Sequence, residues 1–176
     1  RLTVHNADAR PFLRSTDARY DLIVVDAYRQ PYVPFYLATR EFFRLVREHL
    51  APGGIVALNV AAVPDDKRLV RAVGTTLAAE LPQVLEWPAL RFNTIVLGLT
   101  EPLAEGEVER RLRRGPSDLA PLRELLAGDA RPLVATGRPW TDDRAPVEWL
   151  TDRMIVSYAA EGGRLDEDYL PTRPSP

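Results

Sequence analysis

The chain's 176 residues suffice for one domain with a sizeable core, and its 45% hydrophobic and 27% charged content is that of an ordinary globular protein. A formal net charge of −2 gives no electrostatic basis for binding nucleic acid or an anionic membrane surface. With no Cys, disulfides, thiol nucleophiles and thiolate metal sites are excluded, and His5 and His49 stand in no metal-ligand spacing, so no metal is expected. No run approaches the ~20 apolar residues of a membrane span and no signal peptide is visible; a cytoplasmic setting without membrane contact is expected.

In chain order, "LTVHN" (2–6) predicts a short strand and "ADARPFLRST" a loop with a short helix. "YDLIVVDA" predicts a strand whose aliphatic run, Leu22 to Val25, reads as buried on both faces and stops at Asp26. "RQPYVPFYLA" carries two prolines and reads as a loop. A helix is expected over 39–50, with Thr39 as N-cap, Glu41 in the first turn and Phe42, Phe43, Val46 and Leu50 as its apolar stripe. "PGG" (52–54) is a turn that ends it, since a phosphate cradle would precede a helix rather than follow one. A second apolar strand is expected at 55–61 and a helix at 65–81 with Leu69, Val70, Val73, Leu77 and Leu81 on one face. Strands at 84–87 and 93–99 are close enough to form an antiparallel pair, and helices are expected near 105–114, 118–127 and 145–160. The domain is expected to span 1–161, with 162–176 a polar, Pro-rich, flexible tail.

Alternating strands and helices with continuous apolar strands imply an α/β fold: a mostly parallel, Rossmann-like sheet with helices on both faces and an antiparallel edge strand. Ligands of such sheets bind outside the carboxyl ends of the strands. Asp26 and Asn59 fall at such ends, and Asp8 follows the first predicted strand.

Asp26 admits two readings. A carboxylate at the mouth of the sheet can hydrogen-bond a cationic or hydroxylated ligand, or accept a proton from an amine; it can also simply cap the following loop. Asp8 can read a ligand or serve as a turn or N-cap aspartate. Tyr28, Tyr32, Phe35 and Tyr36 can flank a flat ligand or cover the edge of the core. Arg29 can anchor an anion or lie solvated, and His49 suits a helix C-terminus. No G-x-G-x-x-G follows a strand, and neither G-x-S-x-G nor a Walker-type loop occurs.

"VHNADARPFLRSTDARYDLIVVDAY…REFFRLVREHLAPGGIVALNV", followed later by "WTDDRAPVEWL" (140–150), resembles the spermidine synthase-like family, polyamine aminopropyltransferases on the S-adenosylmethionine-dependent methyltransferase fold. The resemblance implies that Asp8, with Ala7 in place of the family's Gly and Ala9 completing the motif, reads the adenine amino group. It implies that Asp26 is the catalytic acid that helps deprotonate the attacking amine, and that Pro34 and Leu37 line the adenine pocket. Tyr28 and Arg29 fall in the substrate region. Arg29 stands where the family usually has a second aspartate, and a cation there repels a diamine by about 1 kcal/mol at 4 Å even in water. The family's glycine-rich cofactor loop lies before the first matched strand, so the chain is expected to be a part of that domain cut from a longer one, truncated at its N-terminus.

The function implied is aminopropyl or methyl transfer from decarboxylated S-adenosylmethionine or S-adenosylmethionine to an amine, with a nucleoside donor and an amine acceptor as small-molecule partners. The alternative is a non-catalytic relative that acts through self-association, as a homodimer, or as a domain of a larger protein.

Overall fold

The computed structural model describes residues 2–27, 33–104, 106–119 and 130–163. Its centre is a five-stranded sheet made by β1 (Tyr20–Val25), β2 (Leu50–Ala61), β3 (Gln83–Leu90), β4 (Asn93–Leu99) and the short β5 (Arg131–Pro132), in the order β1-β2-β4-β3-β5. β1 and β2 are parallel, while β4 runs antiparallel to both of its neighbours, β2 and β3, and β5 runs antiparallel to β3. β1, β2 and β3 therefore share one direction, and the antiparallel part is larger than a single edge strand because the tight 90–93 reversal inserts β4 between β2 and β3.

One face of the sheet is covered by α2 (Arg40–Glu48), α3 (Arg68–Ala78) and α5 (Val147–Ala160). Phe42, Phe43 and Val46 of α2, Val70, Val73 and Leu77 of α3, and Val147 and Met154 of α5 pack with Val56, Leu58, Val60 and Val96 of the strands. Gly98 makes the close approach of α3 possible, since a Cβ there would lie 2.5 Å from Leu81 and 2.8 Å from Leu77. The opposite face is unevenly covered. Leu85 and Leu99 are buried, whereas Leu22 and Val24 on the edge strand β1 are 56% and 63% exposed.

The start of α2 follows the sequence. The Thr39 side chain accepts from Phe42 N at 3.4 Å as the N-cap of α2, as its position predicts. α4 (Glu107–Arg114) lies within the expected 105–114 helix. The His49 ring is structural: Nδ1 lies 2.8 Å from Leu45 O and Nε2 2.9 Å from Thr16 O. The PGG turn is folded into the start of β2, where register passes from Tyr20↔Leu50 to Leu22↔Ile55 and the residues between bulge outward. Gly53 has φ 73°, and a Cβ on Gly54 would lie 2.8 Å from Ala51 O, so this turn needs both glycines.

Two expectations change. Residues 2–6 are not a strand: no strand among the described residues lies beside them, and Leu2 and Val4 are 88% and 80% exposed. Without a ladder partner, β-branched residues do not hold a strand. The expected 65–81 helix is trimmed to α3, because Asp65 adopts φ 65° and Asp66 pairs with Arg68 at the helix start. Most of the expected 118–127 helix, and of the tail from 164 onward, lies outside the described residues.

Two polar clasps lock the layers. Arg40, Arg44 and Arg47 recur along one face of α2 and converge on Glu80, whose side chain is 3% exposed, just past α3. Burial pushes the Glu80 carboxyl up, but hydrogen bonds from Arg40 and Arg44 and the charges of Arg44 and Arg47 outweigh it and hold it below the ordinary carboxylate range.

The second clasp uses the "TDDR" stretch. Arg10 of α1 (Ala9–Arg14) donates from Nη1 and Nη2 to the two carboxylate oxygens of Asp142 at 2.9 and 2.7 Å. The Thr39 hydroxyl donates to Asp142 Oδ1 at 2.7 Å, and Asp142 N donates to Glu41 at 3.0 Å. The Arg10 hydrogen bonds hold the Asp142 carboxyl below its usual range. Asp142→Ala is expected to cost about 1–2 kcal/mol at neutral pH, because it strips a charged partner from an Arg10 side chain that is only 13% exposed. Urea unfolding of the two proteins at pH 7 measures the difference. The gap between them should close in acid: a depressed carboxyl contributes stability above its unfolded pKa and loses it as pH falls through the folded value.

Candidate functional site

Asp26 is the first residue past β1, exposed at the carboxyl end of the sheet. Asn59, on the neighbouring β2, donates from Nδ2 to Asp26 Oδ1 at 3.1 Å. Asn59 Oδ1 in turn accepts from Asn93 Nδ2 at 2.7 Å, from the first residue of β4. The register explains this: Asn59 stands opposite Ile95, so Asn93, two residues earlier on β4, lies on the same face diagonally across the ladder. Asparagine is depleted in strands, and "IVALNVA" carries one among aliphatics, which marks position 59 as polar for a local reason.

Asp8 is held separately. Its Oδ1 accepts from Arg10 N at 3.0 Å as the N-cap of α1, and its Oδ2 accepts from the Tyr36 hydroxyl at 3.0 Å. Tyr36 sits on the 3-10 turn Phe35–Leu37, downstream of Asp26 in the chain. Ala9 opens α1 and is exposed. Pro34 is half-buried and its carbonyl accepts from Leu37 N at 2.9 Å. Leu37 is 3% exposed and lines, with Val25, Ala27, Val33, Asn59 and Val73, an apolar hollow of about 10 Å³, the size of one water. That hollow is too small for a nucleoside. Tyr28 and Arg29 fall outside the described residues.

A larger cleft, about 350 Å³, opens beyond β2 between Pro64–Arg71 and the Met154–Glu161 part of α5 and its end. It contains none of the predicted site residues. Its cations are partly spent within the fold, Lys67 on Glu86 and Arg68 on Asp66. Among the described residues no three His, Asp or Glu side chains gather as metal ligands would, and no helix is long and apolar enough to cross a membrane.

Sequence reasoning pointed to Asp26, Asp8 and the strand end at Asn59. It missed Tyr36 as the partner of Asp8, and Asn93 altogether. A polar residue opening an otherwise aliphatic strand, as in "NTIVLGL", was the available signal for Asn93.

The arrangement is a mixed α/β sheet with helices packed on it and Asp26 at the end of one strand, and its fold is shared by Rossmann-like methyltransferases. Human methyltransferase-like protein 13, solved in complex with SAH, superposes with a TM-score of 0.53 at 23% identity, covering 80% of this chain and 62% of that one. A probable spermidine synthase from Corynebacterium glutamicum superposes with the same TM-score, 0.53, at 21% identity, covering 97% of this chain and 55% of that one. In sequence, a probable polyamine aminopropyl transferase of Bifidobacterium longum is 29% identical over 187 aligned positions, 91% of this chain and 40% of the relative. A polyamine aminopropyltransferase of Vibrio vulnificus is 34% identical over 59 residues, 32% of this chain and 20% of the relative. No family model matches the chain. In sequence the chain is similar to polyamine aminopropyltransferases, and in fold to a probable spermidine synthase. It spans less than half the length of the curated relatives it matches.

Proposed function

We propose that this chain forms the acid-bearing half of a transferase that moves an aminopropyl or methyl group from an adenosyl-sulfonium donor to an amine. The observation that carries the reading is Asp26: an exposed carboxylate at the end of a sheet strand, held by a neutral amide in a spermidine synthase-like chain. In this reading Asp26 accepts the proton of the attacking amine while the carbon–sulfur bond of the donor breaks, and the sulfonium leaves as a neutral thioether. Asp8 reads the adenine amino group and Ala9, Pro34 and Leu37 border the nucleoside, with Tyr28 and Arg29 assigned to the acceptor by the family resemblance. Catalysis then comes from aligning the two reactants and accepting one proton. Calorimetric titration of the chain with decarboxylated S-adenosylmethionine and with methylthioadenosine tests it. Saturable binding is expected, weakened by Asp8→Ala; no heat at millimolar nucleoside overturns the reading.

The second reading, a non-catalytic chain acting through self-association, is favoured by the edge strand β1, which carries Leu22 and Val24 outward. An unpaired edge with apolar neighbours invites a partner. On that reading sedimentation gives a dimer that Leu22→Lys and Val24→Lys each dissociate, and a monomer in the parent chain rejects it.

A further inference from the structure

We infer that Asn59 and Asn93 are positioning residues, forming a hydrogen-bonded chain from β4 through β2 that sets the rotation of the Asp26 carboxylate. The inference rests on the reading of Asp26 as a proton acceptor. Among the described residues Asn59 is the one hydrogen-bond partner of Asp26, and it engages Oδ1 and not Oδ2. The donor is a neutral amide, so it orients the carboxylate without adding a cation that would repel an incoming ammonium.

Asn93 helps to fix which way Asn59 faces. Because Asn93 Nδ2 donates to Asn59 Oδ1, the other half of the Asn59 amide, its Nδ2, is turned toward Asp26. A reversed Asn59 would set its carbonyl oxygen against the Asp26 oxygen and its NH₂ against the NH₂ of Asn93, two like pairs in place of two hydrogen bonds. Both asparagines sit on strands of one sheet, which fixes their Cα positions more firmly than a loop would. Three adjacent strands thus carry one polar line at the carboxyl rim, each member supplied by a different strand or its end.

Asn93→Asp tests this with little change of size. The introduced carboxylate cannot donate, so Asn59 turns its NH₂ toward position 93 and presents its oxygen to Asp26. The first readout needs no activity: the ¹³C resonance of the Asp26 carboxyl carbon in the free chain. It is expected to move in both Asn93→Asp and Asn59→Ala, and an unmoved resonance in Asn93→Asp overturns the inference. The second readout is transfer kinetics. Each variant is expected to lower kcat roughly ten- to hundred-fold with KM for the nucleoside unchanged, and the double variant should be no worse than Asn59→Ala. Multiplying, independent losses overturn it, as does full activity in both variants where Asp26→Asn is inactive. Should the parent chain transfer nothing, the transferase reading fails and the resonance alone decides whether the amides orient Asp26.

Discussion

Asp26→Asn is expected to leave methylthioadenosine affinity unchanged and to lower the rate of group transfer by about 10²–10⁴-fold, the range a positioned general base contributes. The substitution separates two roles. An amide in place of the carboxylate retains an oxygen that accepts from Asn59 Nδ2, so the local hydrogen bond and the strand end persist. What disappears is the ability to take a proton from the attacking nitrogen. Nucleoside binding assigned to Asp8 is served from another element, the start of α1, and should not change. Single-turnover kinetics at saturating donor measures the rate, and calorimetry measures the affinity. An Asp26→Asn chain as fast as its parent would remove Asp26 from the reaction.

Glu80→Ala is expected to destabilise the fold by about 2–3 kcal/mol, below the roughly 3–5 kcal/mol cost of breaking a fully buried ion pair because the three arginines are about half exposed. For a chain of this size that corresponds to a fall in Tm of roughly 5–10 °C. Glu80→Gln should lose less, since the amide oxygen still accepts from Arg40, whose Nε lies 2.7 Å from Oε1. Glu80 is held below the ordinary carboxylate range. Its contribution is therefore complete above the unfolded carboxylate pKa and vanishes as pH falls through the lower folded value, so parent and Glu80→Ala should converge in acid. Thermal melts between pH 7 and pH 2 give the whole comparison. A gap that stays constant across that range would mean Glu80 acts by packing alone.

Legibility in the sequence followed the range of the forces involved. The strand at 93–99 and the α2 N-cap at Thr39 were readable because alternation and capping act over a few residues. The place of Asp26 at the end of β1 was readable because an acid closes an aliphatic run. The strand expected at 2–6 was not formed, since strand propensity is expressed through a neighbour and no described strand lies there. The antiparallel insertion of β4, and with it the meeting of Asn93 with Asn59, depends on a register that no local pattern encodes. The same holds for Arg10 and Asp142, whose attraction is plain from charge but whose partnership is set by the path of the whole chain.

The Arg10–Asp142 clasp joins residues 132 positions apart. During synthesis its second half emerges only after the sheet and α2 and α3 have been made. A six-residue helix such as α1 does not persist unaided. It is held from both directions along the chain: by Tyr36 and Thr39 nearby and by Asp142 far downstream, with Leu13 packed into the core. A product shortened before residue 142 would leave the Arg10 guanidinium without its carboxylate while keeping the Asp26–Asn59 hydrogen bond.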